Sequence, residues 1–202
     1  MKNYKKNFEI LKKNHVYSEE MEHDACGVGL IASTEGKKSR KIVEYGIEAL
    51  KAVWHRGAVD ADGKTGDGAG IHVEVPKDFF IEKVEVTGHT YDNSEICVGM
   101  IFLPRNDYTA QESCKTIVES ELTKNDFSIY GWRQVPVNPK VLGEKAFQTM
   151  PEIIQVLFKS NNPELLNKDL ERKIYETRRI IENKAFQISL NNFYICSLSS
   201  KS

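Results

Sequence analysis

Cys26 is the residue in this sequence best placed to do covalent chemistry. It stands where the polar stretch 1–25 gives way to a small, apolar run, Cys26-Gly-Val-Gly-Leu-Ile-Ala-Ser33. The glycines leave its thiol uncrowded. The plain alternative is a small buried hydrophobe at the start of a strand. Removal of residues 1–25 would put the thiol and a free α-amine on the same residue. An α-amine titrates near about 7.7–8.0 and a thiol near about 8.5, so the amine can take the thiol proton at neutral pH. An N-terminal amine serving as base is an established way to activate a nucleophile.

Other chemistry-bearing patterns fall short. Gly27-Val-Gly29-Leu-Ile-Ala32 fits the G-x-G-x-x-A fingerprint, but polar Glu22-His-Asp-Ala25 precedes it and a strand-like run follows. A dinucleotide site needs a strand before the glycines and a helix starting in them, so that the pyrophosphate meets the helix N-terminus. Asp60-Ala-Asp62-Gly63 starts like a calcium loop, then puts Lys64 and Thr65 where a third oxygen ligand and a glycine belong. His55 and His72 have no partners at ligand spacing. Cys26, Cys97, Cys114 and Cys196 form no C-x-x-C pair, which suits neither zinc nor a disulfide framework. No metal is expected. Thr65-Gly-Asp-Gly-Ala-Gly70 reads either as a flexible turn or as backbone that must approach another group closely.

Composition narrows the class. With 202 residues and 40% hydrophobic content, the chain can build one packed domain or one piece of a larger one. Lys and Arg number 28 against 29 Asp and Glu, a net charge of −1, which gives no electrostatic reason for a nucleic-acid partner. The longest apolar run, around Ile96–Leu103, is too short to span a bilayer, and the basic N-terminus lacks the apolar core of a secretion signal. A soluble, cytoplasmic protein is the expectation.

The elements that must position Cys26 follow from periodicity. Residues 26–33 read as a buried strand and Thr34-Glu-Gly36 as a turn. Val43, Ile47, Leu50 and Trp54 share one face of a helix capped by Ser39 and ending near His55-Arg56-Gly57. A Gly- and Asp-rich loop, 58–68, leads to a second strand at 69–75, ended by Pro76. Further strands are predicted at 96–103, 127–137, 153–158 and 193–198, with helices over 109–122 and 169–184. Residues 77–95 receive no element. The apolar strand 193–198, with only four residues after it, reads as one whose covering element is missing.

Three blocks now carry a resemblance. His23-Asp-Ala-Cys26-Gly-Val-Gly-Leu-Ile-Ala32 resembles the start of the amidotransferase domain of glutamate synthase large chains. That family belongs to the class II glutamine amidotransferases, within the N-terminal nucleophile hydrolases. Residues 50–71, containing His55-Arg56-Gly57 and Thr65-Gly-Asp-Gly-Ala-Gly70, resemble its next block. Gly131-Trp-Arg-Gln-Val-Pro-Val137 with Leu142-Gly143 resembles a third, particular within the class to glutamate synthases. The blocks occur in family order.

The resemblance implies an α+β fold of the four-layer αββα sandwich type, incomplete at its C-terminal end. It implies a leader or propeptide over 1–25 and the N-terminal half of a type 2 amidotransferase domain over 26–202. Cys26 would be the nucleophile and, after processing, its own α-amine base, attacking glutamine to form a thioester and release ammonia. Arg56 would support it, since a guanidinium favours thiolate and developing negative charge; otherwise Arg56 is a surface charge at a helix end. The family's oxyanion-hole block, His-Asn-Gly-Glu, and its carboxylate-binding block, Arg-Phe-Ser-Thr, do not occur here. In the family both come later, so substrate-binding residues are expected beyond residue 202 and the isolated segment is expected to be inactive. No cofactor is expected in this segment; FMN and an iron–sulfur cluster are implied for the full-length enzyme. Implied partners are glutamine, the synthase domains of the same chain and a small electron-donating subunit, with no nucleic acid and no membrane. Two rival readings remain open: a catalytically incomplete fragment or interaction module, and another N-terminal-Cys amide hydrolase.

Overall fold

The computed structural model describes residues 27–54 and 57–202, with isolated residues 6, 9, 10 and 13. The proposed nucleophile Cys26, as well as His55 and Arg56, lie outside the described residues. The chain divides into two compact units, Met1–Ala58 and Val59–Ser202.

In the first unit, Gly36 N–H closes the predicted turn on Ser33 O at 3.2 Å. Helix α1 then runs over Arg40–Ala52. Ser39 caps it, its hydroxyl accepting from Lys41 N at 3.2 Å, and Val53 ends it. Among the described residues the predicted strand is not seen: residues 27–33 make no ladder, and Val28 and Leu30 are about nine-tenths exposed. An apolar run supplies the side chains of a strand but not the second backbone its N–H and C=O groups require.

The second unit is built on an antiparallel sheet in the order β2-β3-β1-β4. Its strands are β1 (Cys97–Leu103), β2 (Phe127–Gln134), β3 (Glu152–Ser160) and β4 (Tyr194–Ser199). Central β3 pairs with β1 through Cys97↔Phe158 and with β2 through Phe127↔Ser160. Its run Ile153–Phe158, apolar but for Gln155, is explained by burial on both faces. The architecture is α+β.

Helices α2 (Lys77–Val86), α3 (Tyr108–Lys124), α4 (Glu144–Thr149) and α5 (Asn167–Gln187) complete the unit. On one face, Cys114, Val118 and Leu122 of α3 and Leu170, Ile174 and Ile181 of α5 meet Cys97, Ile101, Ile154, Val156 and Phe158. On the other, Phe80 and Val84 of α2 meet Val98, Tyr130 and Leu157. The predicted helices at 109–122 and 169–184 thus appear with the predicted faces inward. Helix α2 lies where no element was assigned; its buried residues are just one i, i+4 pair. The predicted strand 69–75 is irregular, joined at its end by Val75 N–H donating to Lys201 O at 2.8 Å.

Cys196 stands in the apolar run 193–198, where a cysteine reads as a small buried hydrophobe, yet it is exposed. Ile195 and Leu198 are both buried although three residues apart, because β4 bulges between Ser197, opposite Met100, and Ile195, opposite Ile101, which leaves Cys196 unpaired and turned outward. No helix among the described residues is long and apolar enough to cross a membrane.

One ion cluster ties the two large helices together. The Glu121 side chain is only 5% exposed and accepts from Lys184 at 2.7 Å and Lys124 at 3.0 Å. The Lys184 hydrogen bond, more than any other influence, holds its carboxyl below the ordinary 4.5. A carboxyl depressed in the folded state contributes stability above its unfolded value and loses it as pH falls through the folded one. Glu121→Gln should therefore cost about 1–2 kcal/mol at neutral pH. The difference from wild type should shrink as pH falls below 4.5, as read by urea unfolding at neutral and acidic pH.

Candidate functional site

The second and third sequence blocks meet in a hydrogen-bonded clasp. Val59 and Gly66 form an antiparallel bridge, and Asp60 N–H donates to Thr65 O at 2.7 Å. Within this hairpin the Asp62 carboxylate gathers three donors: Lys64 N at 2.9 Å, Thr65 N at 2.7 Å and the Thr65 hydroxyl at 2.5 Å. The Thr65 hydroxyl and these backbone N–H groups hold the Asp62 carboxyl well below the usual carboxylate range. The expected calcium-like start is thus occupied by the protein's own donors.

The hairpin docks on α4. Ala146 N donates to the Thr65 hydroxyl at 3.4 Å, and Lys145 Nζ pairs with Asp60 at 2.6 Å. Gly143, buried at the start of α4, makes this possible. A β-carbon there would be driven into the Thr65 hydroxyl and the Asp62 carboxylate, and would lie 2.5 Å from Thr65 N. Of the two readings of Thr65–Gly70, close backbone approach is not what Gly68 and Gly70 provide, since β-carbons added there would meet nothing within 4 Å among the described residues. It is made by Gly143. Sequence reading missed Asp62, Thr65 and Lys145 as a unit; the glycines of both blocks were the available signal.

At its other end α4 is held to the sheet. Arg105, two residues after β1, stacks on the Phe147 ring at 4.6 Å and donates to Phe147 O at 3.4 Å. The Gly131-Trp-Arg-Gln block is the second half of β2. A bulge at Ile129/Gly131 gives Gly131 a φ of 148°, and a β-carbon would lie 2.9 Å from the Thr87 methyl. Beyond it, Trp132 Nε1 donates to Glu119 of α3 at 2.6 Å. Arg133 goes to the opposite face, bonding Gln155 at 2.6 Å and covering the Phe79 ring at 5.2 Å. Both residues of this block act as packing.

A cleft of about 420 Å³ lies beside α4, lined by Phe102, Val137, Leu142, Met150 and Ile153 with Asn138 and Thr149 as its only hydrogen-bonding side chains. Free glutamine carries an ammonium and a carboxylate, and this lining offers no charge to either. The cleft does not suit it.

Among the described residues, no group of three or more His, Cys, Asp or Glu could hold a metal ion. Cys97 and Cys114 are buried, and burial pushes the Cys114 thiol up to about 11 and that of Cys97 higher still.

Comparison with known proteins agrees with the blocks. The family model for class-II glutamine amidotransferases matches residues 26–202. A glutamate synthase [NADPH] large chain from Azospirillum brasilense is 52% identical over 199 residues, covering 98% of this chain and 13% of its own. Ferredoxin-dependent glutamate synthases from Pyropia yezoensis and Arabidopsis thaliana (the latter chloroplastic) are 39% and 37% identical, each with 12% of its length covered. This chain thus spans about an eighth of the relatives it matches. With a family model aligned from Cys26 to its last residue, the chain belongs to the class II glutamine amidotransferases, enzymes of the N-terminal nucleophile hydrolase type.

Proposed function

We propose that this chain is the glutaminase part of a glutamate synthase. The observation that carries the reading is the family match that begins at Cys26, the residue whose own amine would activate its thiol. The identity of 52% to a glutamate synthase large chain, across 98% of this sequence, supports the choice of enzyme.

In this reading residues 1–25 are a propeptide, and 26–202 belong to the amidotransferase domain. The freed α-amine of Cys26 takes the thiol proton as sulfur attacks the side-chain amide carbon of glutamine. The carbonyl oxygen becomes an oxyanion. The protonated amine then gives its proton to the departing nitrogen, the C–N bond breaks, and ammonia leaves behind a γ-glutamyl thioester. Water hydrolyses the thioester, and glutamate and free thiol are restored. Arg56 supports the thiolate and the oxyanion by its charge. The ammonia serves reductive amination of 2-oxoglutarate by synthase domains of the same protein, with electrons from a small donor partner. In this reading the protein works in the reducing cytoplasm, where a free thiol persists.

N-terminal sequencing of the active protein should find Cys26 first, and acid quenching during turnover should trap a γ-glutamyl thioester on that peptide. An active enzyme that retains Met1–Ala25 would overturn the amine-as-base mechanism. A thioester on another cysteine would overturn the assignment of the nucleophile.

A further inference from the structure

The sheet face that meets α2 is covered at one end only. There Val98, Tyr130 and Leu157 are buried with Phe80 and Val84 of the helix. Further along the strands, the register sets out two rows on the same face. One runs Ser197, Met100, Gln155, Arg133, and the next runs Tyr194, Phe102, Ile153. Met100, Phe102 and Ile153 are half-buried and Tyr194 is exposed, and all of them stand outside both cores. The cleft beside α4 is continuous with this strip, because Phe102 and Ile153 line both.

Arg133 stands where the covered part of the face gives way to the open part. Within the unit it packs, but its charge is left over. Its guanidinium has more N–H donors than Gln155 occupies, and no carboxylate reaches it among the described residues. The two rows hold no acidic side chain. Glu152, next to Ile153, alternates to the other face and accepts from Gln134. On the covered end the comparable cation is neutralised, Lys159 by Asp92. Lys83 lies 5.0 Å from the same Phe79 ring that Arg133 covers, so the border of the strip carries a second cation. A guanidinium held half out of water is costly unless a carboxylate meets it.

We propose that Arg133 is a socket for a carboxylate carried by a polypeptide segment of the same full-length protein, outside residues 1–202. That segment packs apolar side chains on Met100, Phe102, Ile153 and Tyr194 and delivers an Asp or Glu to the guanidinium. The surface selects this occupant. Met, Phe and Tyr around an arginine are the composition of a protein interface centre, and offer a small acid nothing but the one charge. The Gln155 hydrogen bond and the Phe79 ring fix the plane of the guanidinium, which leaves its fork ready for bidentate pairing. The proposal rests on the reading of this chain as part of a longer synthase. It covers 13% of the Azospirillum brasilense large chain, so such a protein supplies the segment within the same molecule.

The test uses the full-length protein. Arg133→Lys keeps the charge and supplies an amine that a carbodiimide joins to any carboxylate in contact with it. The variant should gain one crosslink that wild type lacks, from the peptide holding position 133 to an Asp or Glu outside residues 1–202. In a mixture of isotope-labelled and unlabelled protein, that link should stay within one copy. Its absence, an end within residues 1–202, or a link between copies would each overturn the proposal. Hydroxyl-radical footprinting is the second readout. Tyr194 and Tyr175 are 57% and 61% exposed in this chain, so an open face would label them alike. In the wild-type protein Tyr194 should instead be labelled about five-fold less, as expected of a water-excluded interface. Arg133→Glu sets like charge against the carboxylate and should raise Tyr194 labelling about three-fold or more. Equal labelling in wild type, or Tyr194 labelling unmoved by Arg133→Glu, would overturn the proposal; the crosslink stands whether or not that variant folds. Intact mass separates the two claims. A natural protein that ends at Ser202 removes the longer synthase and the socket together, whereas a longer protein with Tyr194 open removes the socket alone.

Discussion

Replacing Cys26 by serine in the full-length glutamate synthase proposed above is expected to abolish glutamine-dependent turnover while sparing turnover with added ammonia. A serine hydroxyl is far too weak an acid for a nearby α-amine to ionise at neutral pH, whereas a thiol near about 8.5 is within its reach. Losing a nucleophile of this kind costs on the order of 10⁴-fold or more in kcat. Ammonia enters after the step that needs the thiol, so that activity should remain. The other cysteines provide the contrast. Cys97 and Cys114 are buried, with burial pushing both thiols up, and each lines the core rather than a site. Cys196 is exposed on the edge strand. Serine at Cys196 should leave both activities in place. Parallel loss of glutamine- and ammonia-dependent rates in the Cys26 variant would instead mean that the residue is structural. Steady-state rates with the two nitrogen donors, on the same preparation, decide the matter.

Phe158→Ala should be among the most damaging changes to stability. Phe158 is fully buried on central β3, packs edge-to-face on Phe127 with ring centroids 5.3 Å apart, and sits under both large helices. Truncation removes the transfer energy of the ring and leaves a cavity that two strands and two helices cannot close, about 3–5 kcal/mol in all. Most small-domain stabilities lie in the range of about 5–15 kcal/mol, so this is a large share. Phe186→Ala, at a position 82% exposed on the last turn of α5, should change little. Urea unfolding is the measurement: the Phe158 variant should show a lowered midpoint with an unchanged slope. A shift below about 1 kcal/mol would mean that the two-helix face is not the core of this unit.

Local rules carried most of the framework. Helices α3 and α5 present the faces that a 3.6-residue period predicts, because a helix closes its hydrogen bonds within itself and needs only one apolar stripe to be held. Ser39 as a cap and the four strands of the sheet were legible for similar reasons. The chemical identity was legible too: Cys26 and the two later blocks point to a class II amidotransferase, and the family match covers 26–202.

What depends on distant partners was not legible. The runs 27–33 and 69–75 have strand-like side chains yet form no ladder among the described residues, since a strand needs another backbone and no local pattern supplies one. Cys196 was expected inside because its strand is apolar; which face of β4 is buried depends on the register against β1, which shifts at Met100/Ile101. The clasp is the clearest case. Thr65 and Ala146 are 81 residues apart, and the need for glycine at 143 arises only when Asp62 and Thr65 arrive beside it. A glycine in a sequence leaves room for a close approach; only the folded chain says what makes it.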